Sequence, residues 1–298
     1  MNRFPPEGSL LNTPANRRYT ADAAGLNAAY RAGAVLEAPT LLCTREHELV
    51  VSLAGRRVTM DRTETARGLD TGETRTISIL SRVGKSTCFV ITDFTLDETG
   101  TPVPVISRRA AQERAWARLN TLPPNTVIDA VVTHLAPFGA FVDVGCGLSS
   151  MIGVENISVA RISSPADRFH IGQRIHAVVT GVRDGHVQLS HRELLGTWAE
   201  NAARFRAGET VAGIVRGVKD YGIFIELAPN LSGLAEYRPG LRAGDRVSVY
   251  IKIILPEKQK VKLVIIDTLP PADPAPLEYF ITGGNVTGWR YDAPPSNP

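Results

Sequence analysis

Two short segments of this chain carry the same residue pattern 83 positions apart, beginning at residues 138 and 221. The pattern is an aromatic residue, a glycine and, three positions after the first aromatic, a phenylalanine. Aliphatic residues alternate through both segments, as in a strand with one buried face. A strand that recurs in register favours a duplicated β domain. The two copies are Phe138-Gly139-Ala140-Phe141 and Tyr221-Gly222-Ile223-Phe224.

The alternation also assigns each side chain to a face. In the first copy Phe141 and Asp143 lie opposite the aliphatic residues, and in the second copy Phe224 and Glu226 do so. We therefore predict that the phenylalanine and the acid of each copy are exposed to solvent. Aromatic residues make up only 6% of the chain, so their repeated use on an exposed face indicates a surface that binds a ligand.

Glycines, prolines and changes of periodicity divide the chain into seven segments. Strands are predicted throughout the two repeats and in a divergent stretch before them, which includes Thr76–Leu80 as a strand. Helices are predicted from Thr20 to Tyr30, after a cap at Ser107, and from Arg192 to Phe205. The predicted boundaries are 1–32 for a flexible N-terminus with a short helix, 33–106 for a degenerate barrel, 107–122 for a helical linker, 123–190 for the first repeat, 191–205 for a second helical linker, 206–268 for the second repeat and 269–298 for a proline-rich tail.

The size of each repeat indicates its fold. Five strand candidates in roughly 70 residues, with a stretch rich in turn residues between the third and fourth, suit a small barrel. The predicted class is therefore all-β, with tandem five-stranded OB-fold barrels joined by short helices. An SH3-like barrel is the alternative.

On an OB barrel the repeated aromatics would form two platforms on which unpaired bases stack, each stack contributing roughly 1–3 kcal/mol. Nearby cations would contact the phosphates. The alternative is that the phenylalanines cover a barrel end or pack against a helix. The predicted site comprises Phe138, Phe141, Arg174, His176, Arg183 and His186 in the first repeat, and Lys219, Tyr221, Phe224, Lys252, Lys258, Lys260 and Lys262 in the second.

Other features of the sequence argue against several classes of protein. The three cysteines are far apart, without the spacing of a disulfide framework or a zinc site. We expect no metal, no cofactor, no catalytic residues and no membrane segment, and a cytoplasmic location. Gly84-Lys85-Ser86-Thr87 resembles the end of a phosphate-binding loop, but Ile79 stands where that loop needs a glycine. We predict a hairpin tip there.

A family resemblance rests on three further motifs: Phe169-His170-Ile171-Gly172-Gln173, Val187-Gln188-Leu189-Ser190 and Leu241-Arg242-Ala243-Gly244-Asp245. Together with the repeated strand, they resemble the S1 (S-one) RNA-binding domain, named after the bacterial small-subunit ribosomal protein. Two such copies around a short helix resemble the short S1-like proteins of low-GC Gram-positive bacteria. The resemblance adds Asp184 to the predicted RNA contacts.

The chain also departs from the family pattern. The position of the family's usual histidine holds Gly153 in the first repeat and Glu236 in the second. In the divergent stretch, His47 and Val50 occupy the positions of the aromatics. We therefore interpret residues 33–106 as a docking or structural domain without a stacking platform.

The resemblance implies a non-enzymatic protein that captures unstructured messenger RNA for translation. Its expected partners are single-stranded RNA and, through the N-terminal domain, the small ribosomal subunit. Two alternatives stay open. One is an RNA regulator or decay accessory protein that does not join the ribosome, and the other is a protein–protein adaptor.

Overall fold

The structure, a computed structural model, describes residues 4–72, 74–183, 185–272 and 276–293. Strands account for 40% of it and helices for 19%, so the predicted all-β class with OB-like barrels is confirmed. Contacts divide the chain into two compact units. One comprises 1–122, 129–131 and 143–149, and the other comprises 123–128, 132–142 and 150–298.

The N-terminal residues form a five-stranded sheet. In the sequence, two helices precede its first strand and one follows its last strand. The strand order is β3-β2-β1-β4-β5. Its core contains Leu36, Leu49, Met60 and Phe89, all fully buried. The elements are α1 (Pro14–Thr20), α2 (Ala23–Ala32), β1 (Leu36–Cys43), β2 (Leu49–Leu53), β3 (Arg56–Met60), α3 (Ile77–Leu80), β4 (Ser86–Leu96), β5 (Pro102–Ser107) and α4 (Arg108–Asn120).

Ten further strands form two closed barrels, whose orders are β10-β8-β7-β6-β9 and β11-β12-β13-β15-β14. In both, the third strand pairs with the fifth in parallel. The antiparallel pairs include β9 with β10 in the first barrel, and β11 with β12, β11 with β14, β12 with β13 and β14 with β15 in the second. This common order is that of the OB fold. The strands are β6 (Thr126–Ala136), β7 (Gly139–Asp143), β8 (Ser149–Gly153), β9 (Arg174–Arg183), β10 (His186–Ser190), β11 (Thr210–Lys219), β12 (Gly222–Ala228), β13 (Leu231–Ala235), β14 (Arg246–Leu255) and β15 (Lys260–Leu269).

Capping side chains set the helix boundaries, and two boundaries differ from the prediction. Ser107 caps α4 as predicted, its Oγ accepting from the amide of Ala110 at 2.8 Å. The helix predicted through Tyr30 is present as α2, but its predicted cap is wrong, because Thr20 ends α1 and Asp22 caps α2. The helix predicted over Arg192–Phe205 is broken. A 3-10 turn ends before Gly196, and Thr197 then caps α5 (Trp198–Ala202).

The strand predicted at Thr76–Leu80 is wrong. These residues form the single turn α3, in which Ile79 is fully buried and Ile77 is 65% exposed. The segment cannot pair with β1, since β2 and β4 already flank that strand. Residues 81–85 form the turn from α3 into β4, so Gly84 and Lys85 are not at the predicted hairpin tip, and the expected strand begins at Ser86.

A buried charged cluster lies in the first unit. The Glu7 carboxylate accepts from Nε of Arg108 at 2.7 Å and pairs with Nη1 of Arg82 at 3.0 Å. Its side chain is 4% exposed. Burial raises the pKa of Glu7, but the guanidinium groups of Arg108 and Arg82 oppose this, and the net pKa is lowered. Glu7 is therefore held ionised between its two arginines.

Asp143 belongs to the same cluster and corrects a prediction. It is 5% exposed rather than on a solvent-facing surface. Its carboxylate accepts from the amides of Glu7, Gly145 and Gly147 at 2.8, 2.8 and 3.0 Å. Burial and the neighbouring Glu7 carboxylate raise the pKa of Asp143 to about 7.

Candidate nucleic-acid interface

The repeated aromatics form two pairs with the same geometry. Phe138 and Phe141 have ring centroids 6.1 Å apart at an interplanar angle of 82°. Tyr221 and Phe224 have centroids 6.1 Å apart at 89°. Phe138 and Tyr221, in the turn before each strand, are 59% and 71% exposed. Each barrel thus presents one exposed ring with a second ring edge-on to it, a surface on which a base can stack.

The glycine of the repeat is explained by a close backbone approach. A Cβ on Gly139 would lie 2.6 Å from the carbonyl oxygen of Ile152, and a Cβ on Gly222 would lie 2.6 Å from that of Ala235. No side chain fits at such a distance. The glycine lets the second strand cross close to the third, and this crossing fixes the position of the neighbouring aromatic pair.

The second barrel continues its aromatic pair into a row across adjacent strands. Phe224 is opposite Leu234, and Leu234 is opposite Lys262, which in turn faces Ile253. Leu234 and Ile253 are 37% and 38% exposed. Apolar groups for bases and an ammonium group for a phosphate therefore lie side by side.

The first barrel has a corresponding row of side chains, but an uncharged residue replaces the lysine. Met151 is opposite Gln188 in the parallel pair, as Leu234 is opposite Lys262 in the second barrel. The glutamine carries no charge. In addition, His134 lies 5.9 Å from the ring of Phe141 and is exposed. We expect the second barrel to contribute more of any electrostatic attraction to phosphate.

The other predicted contacts are more scattered. Arg174 is exposed at the start of β9, and Arg183 pairs with His186 across the exposed β9–β10 hairpin. Asp184 lies outside the described residues. In the second barrel Lys252 lies in a bulge of β14, while the remaining lysines are exposed at the ends of strands, in the β14–β15 turn or on β15: Lys219, Lys258, Lys260 and Lys262.

Two histidines are covered by the C-terminal tail. His176 is half-buried, with its ring 5.1 Å from that of Tyr279. His191 is fully buried. Its Nδ1 donates to the carbonyl of Ile157 at 2.8 Å, so its Nε2 accepts from the Tyr279 hydroxyl at 3.1 Å. His191 is therefore a structural residue.

This buried imidazole predicts a pH dependence of stability. Burial lowers the pKa of His191 to about 4, so protonation favours the unfolded chain as pH falls below about 6.5. The contribution of the neutral His191 side chain to the free energy of unfolding is complete above pH 6.5 and is lost as the pH falls towards 4. We expect the difference in free energy of unfolding between wild type and His191→Gln to narrow by about 1.4 kcal/mol per pH unit across that window. Urea unfolding at pH 7.5, 6.0 and 5.0 measures this difference, and a constant difference would contradict it.

The acids of the repeated strand, Asp143 and Glu226, were predicted on the exposed face, and this prediction is wrong. Glu226, like Asp143, is buried rather than exposed, at 6%. It accepts from Nε of Arg216 at 2.7 Å and pairs with Arg168. Arg216 also contacts Asp167 at 3.1 Å. An acid recurs two positions after each phenylalanine, but this recurrence does not identify the distant partners that make its burial possible.

The first barrel is similar in sequence to a known domain family. Residues 121–192 match the S1 RNA binding domain family. The match covers the whole of the first barrel, from β6 to β10, and its aromatic pair.

Curated relatives are similar to about a third of this chain. The small ribosomal subunit protein bS1 homolog of Bacillus subtilis is 32% identical over 102 residues, covering 32% of this chain and 26% of the relative. A polyribonucleotide nucleotidyltransferase of Deinococcus deserti is 31% identical over 107 residues, covering 34% of this chain and 15% of the relative. The chain thus spans about a quarter or less of the length of these relatives. The match and the relatives support RNA binding in general.

Among solved structures, a multidomain protein with nucleic acid binding domains from Streptococcus pneumoniae aligns with 78% of this chain and 73% of its own. The sequence identity is 12% and the TM-score is 0.25.

Two further observations concern other classes of site. Within the described ranges, no three His, Cys, Asp or Glu side chains come together as a metal site requires. None of the helices that the structure describes is both long and apolar enough to cross a bilayer.

Proposed function

We propose that this protein is a non-enzymatic, cytoplasmic protein that binds single-stranded RNA and captures unstructured messenger RNA for translation. The observation that carries the proposal is the pair of edge-on aromatic surfaces, each with a 6.1 Å ring separation, one on each barrel. The binding modules are residues 123–190 and 206–268. Two linked sites of modest affinity bind one strand more tightly than either site alone, because the second contact is intramolecular.

The N-terminal sheet has a different role in this proposal. Val50, at the position of an aromatic, is 7% exposed, and His47 is half-buried. Neither can stack a base from solution. In the same unit, the single turn α3 and the turn that follows it expose the apolar side chains of Ile77, Leu80 and Val83. Such side chains suit docking to a protein partner, which we propose to be the small ribosomal subunit.

Salt dependence of RNA binding tests the proposal. If four lysines each neutralise one phosphate, a plot of log affinity against log salt concentration has a slope of about −3 for single-stranded RNA. Fluorescence anisotropy with a labelled oligouridylate, between low and physiological salt, measures it. An RNA hairpin of equal length should bind more weakly, because its bases are already stacked. Failure to bind, or a slope near zero, would contradict the proposal and favour a protein–protein adaptor.

A second candidate function is an accessory role in RNA turnover without stable ribosome binding. The similarity to polyribonucleotide nucleotidyltransferases favours it. Sucrose-gradient sedimentation of cell extract distinguishes the two. Cofractionation with the small subunit supports the ribosomal role, and its absence with RNA binding intact supports turnover.

A further inference from the structure

A recess of about 370 Å³ opens beside the Tyr221–Phe224 pair. Besides these two rings, Trp198 and Tyr291 contribute to its walls. A volume in this range is typical of small-molecule pockets. The recess is thus an aromatic cavity adjoining the surface on which we place the RNA.

The charges around the recess are all of one sign. Arg161, Arg216 and Lys219 line it, and no Asp or Glu stands among the described residues that do so. The guanidinium group of Arg216 forms ion pairs with Glu226 and Asp167. Arg161 and Lys219 are exposed at the recess. A cavity with aromatic walls and cations at its surface suits a ligand that combines a flat ring with a phosphate.

One wall comes from the first barrel, from the loop Val159–Arg161 between β8 and β9. Two hydrogen bonds hold this loop on the second barrel. The Val159 amide donates to Oδ1 of Asn230 at 2.9 Å, and the Ala160 amide donates to the carbonyl of Pro229 at 3.1 Å. Arg161 is therefore held beside the aromatic pair of the other barrel.

Asn230 connects the remaining walls. It is fully buried, and its Nδ2 donates to the carbonyls of Arg192 and Gly196 at 2.8 and 2.7 Å. Its own carbonyl accepts from the Tyr291 hydroxyl at 2.8 Å. One side chain and its backbone thus fix the loop, the linker and the tail. A recess assembled in this way is formed before any ligand binds, which lowers the entropic cost of binding.

We propose that this recess receives one nucleotide of the bound RNA strand, with its base against Tyr221 and Phe224 and its phosphate at Arg161 and Lys219. The inference rests on the proposed function and extends it. The RNA site of the second barrel is composite, because a loop of the first barrel supplies one of its cations. Asn230 is a positioning residue for this site.

Arginine substitution in the full-length chain tests the composite site. With an oligouridylate of about 16 nucleotides, Arg161→Ala should weaken binding about fivefold to tenfold and make the salt slope shallower by about 0.7. Arg242→Ala, which removes an exposed arginine that does not line the recess, is the matched control and should change affinity less than twofold. In the Tyr221→Ala/Phe224→Ala background, the effect of Arg161→Ala should largely disappear, because the nucleotide is no longer held there.

Photo-crosslinking gives an independent readout. An oligonucleotide containing 4-thiouridine should crosslink to residues 159–161 or to Tyr291, and mass spectrometry of the peptides locates the crosslink. If Arg161→Ala behaves like Arg242→Ala and these peptides carry no crosslink, the composite site is refuted although the wild type binds RNA. If the wild type does not bind RNA at all, the proposed function itself fails. Crosslinks found only on the peptide of Phe138 and Phe141 would also overturn the composite site.

Discussion

Replacing Tyr221 and Phe224 together by alanine is expected to lower the affinity for single-stranded RNA about thirtyfold. A base stacked on aromatic side chains contributes roughly 1–3 kcal/mol, and losing about 2 kcal/mol for the base that this pair holds corresponds to that change. The effect should exceed that of replacing Phe138 and Phe141, since Lys262 adjoins the second pair and the uncharged Gln188 holds the corresponding position in the first barrel. Fluorescence anisotropy at fixed salt compares the two variants.

Leu96→Ala is the control for this prediction, because Leu96 is 71% exposed and belongs to β4 of the N-terminal sheet rather than to either barrel. Its affinity should equal that of the wild type. Tyr221 and Phe224 are exposed enough that circular dichroism and the unfolding temperature of the double variant should change little. Unchanged RNA affinity in both aromatic double variants would eliminate base stacking as the mode of binding.

The second large effect concerns stability. Glu7→Gln is expected to lower the free energy of unfolding of the first unit by about 3–5 kcal/mol, because it leaves two buried guanidinium groups without their carboxylate. The glutamine has nearly the same shape, so packing is preserved and the loss is electrostatic. Arg108 and Glu7 are 6% and 4% exposed, and solvent cannot replace the missing charge. Hydrogen exchange of peptides from β4 and α4 reports this unit separately.

Glu113→Gln is the matched control. Glu113 pairs with Arg109 at 2.8 Å, four residues away on the exposed surface of α4, with 49% of its side chain exposed. Exposed pairs of this kind contribute about 0.3–0.5 kcal/mol. Equal effects of the two substitutions on exchange would show that the Glu7 cluster does not stabilise the unit.

Local patterns in the sequence predicted most of the barrels. Alternation around Gly139 and Gly222 defines strands whose aliphatic residues are buried, and Ala140, Val142, Ile223 and Ile225 are all fully buried. The cap at Ser107 was also correct, since it depends only on the next three residues. These features are local, and the sequence shows them directly.

What the sequence could not show depends on distant partners. Asp143 and Glu226 have the periodicity of exposed residues, but hydrogen bonds from Glu7 and ion pairs with Arg168 and Arg216 make their burial possible. Asn230 stands in a hairpin turn, where an asparagine is ordinary. Its role depends on segments that lie 34 to 71 positions away.

These distant partners have a practical consequence for dissecting the chain into fragments. A fragment of residues 206–268 would keep Glu226 and Arg216 but lose Arg168, and its Asn230 would face neither Val159 nor Tyr291. If this fragment failed to bind RNA, the cause would be the loss of partners for Glu226 and Asn230 and the loss of the recess wall formed by Val159–Arg161. The failure would not show that the second barrel lacks a binding surface. The smallest portion that retains every contact of Asn230 begins in the first barrel and ends after Tyr291. The second barrel is therefore not an independent binding domain.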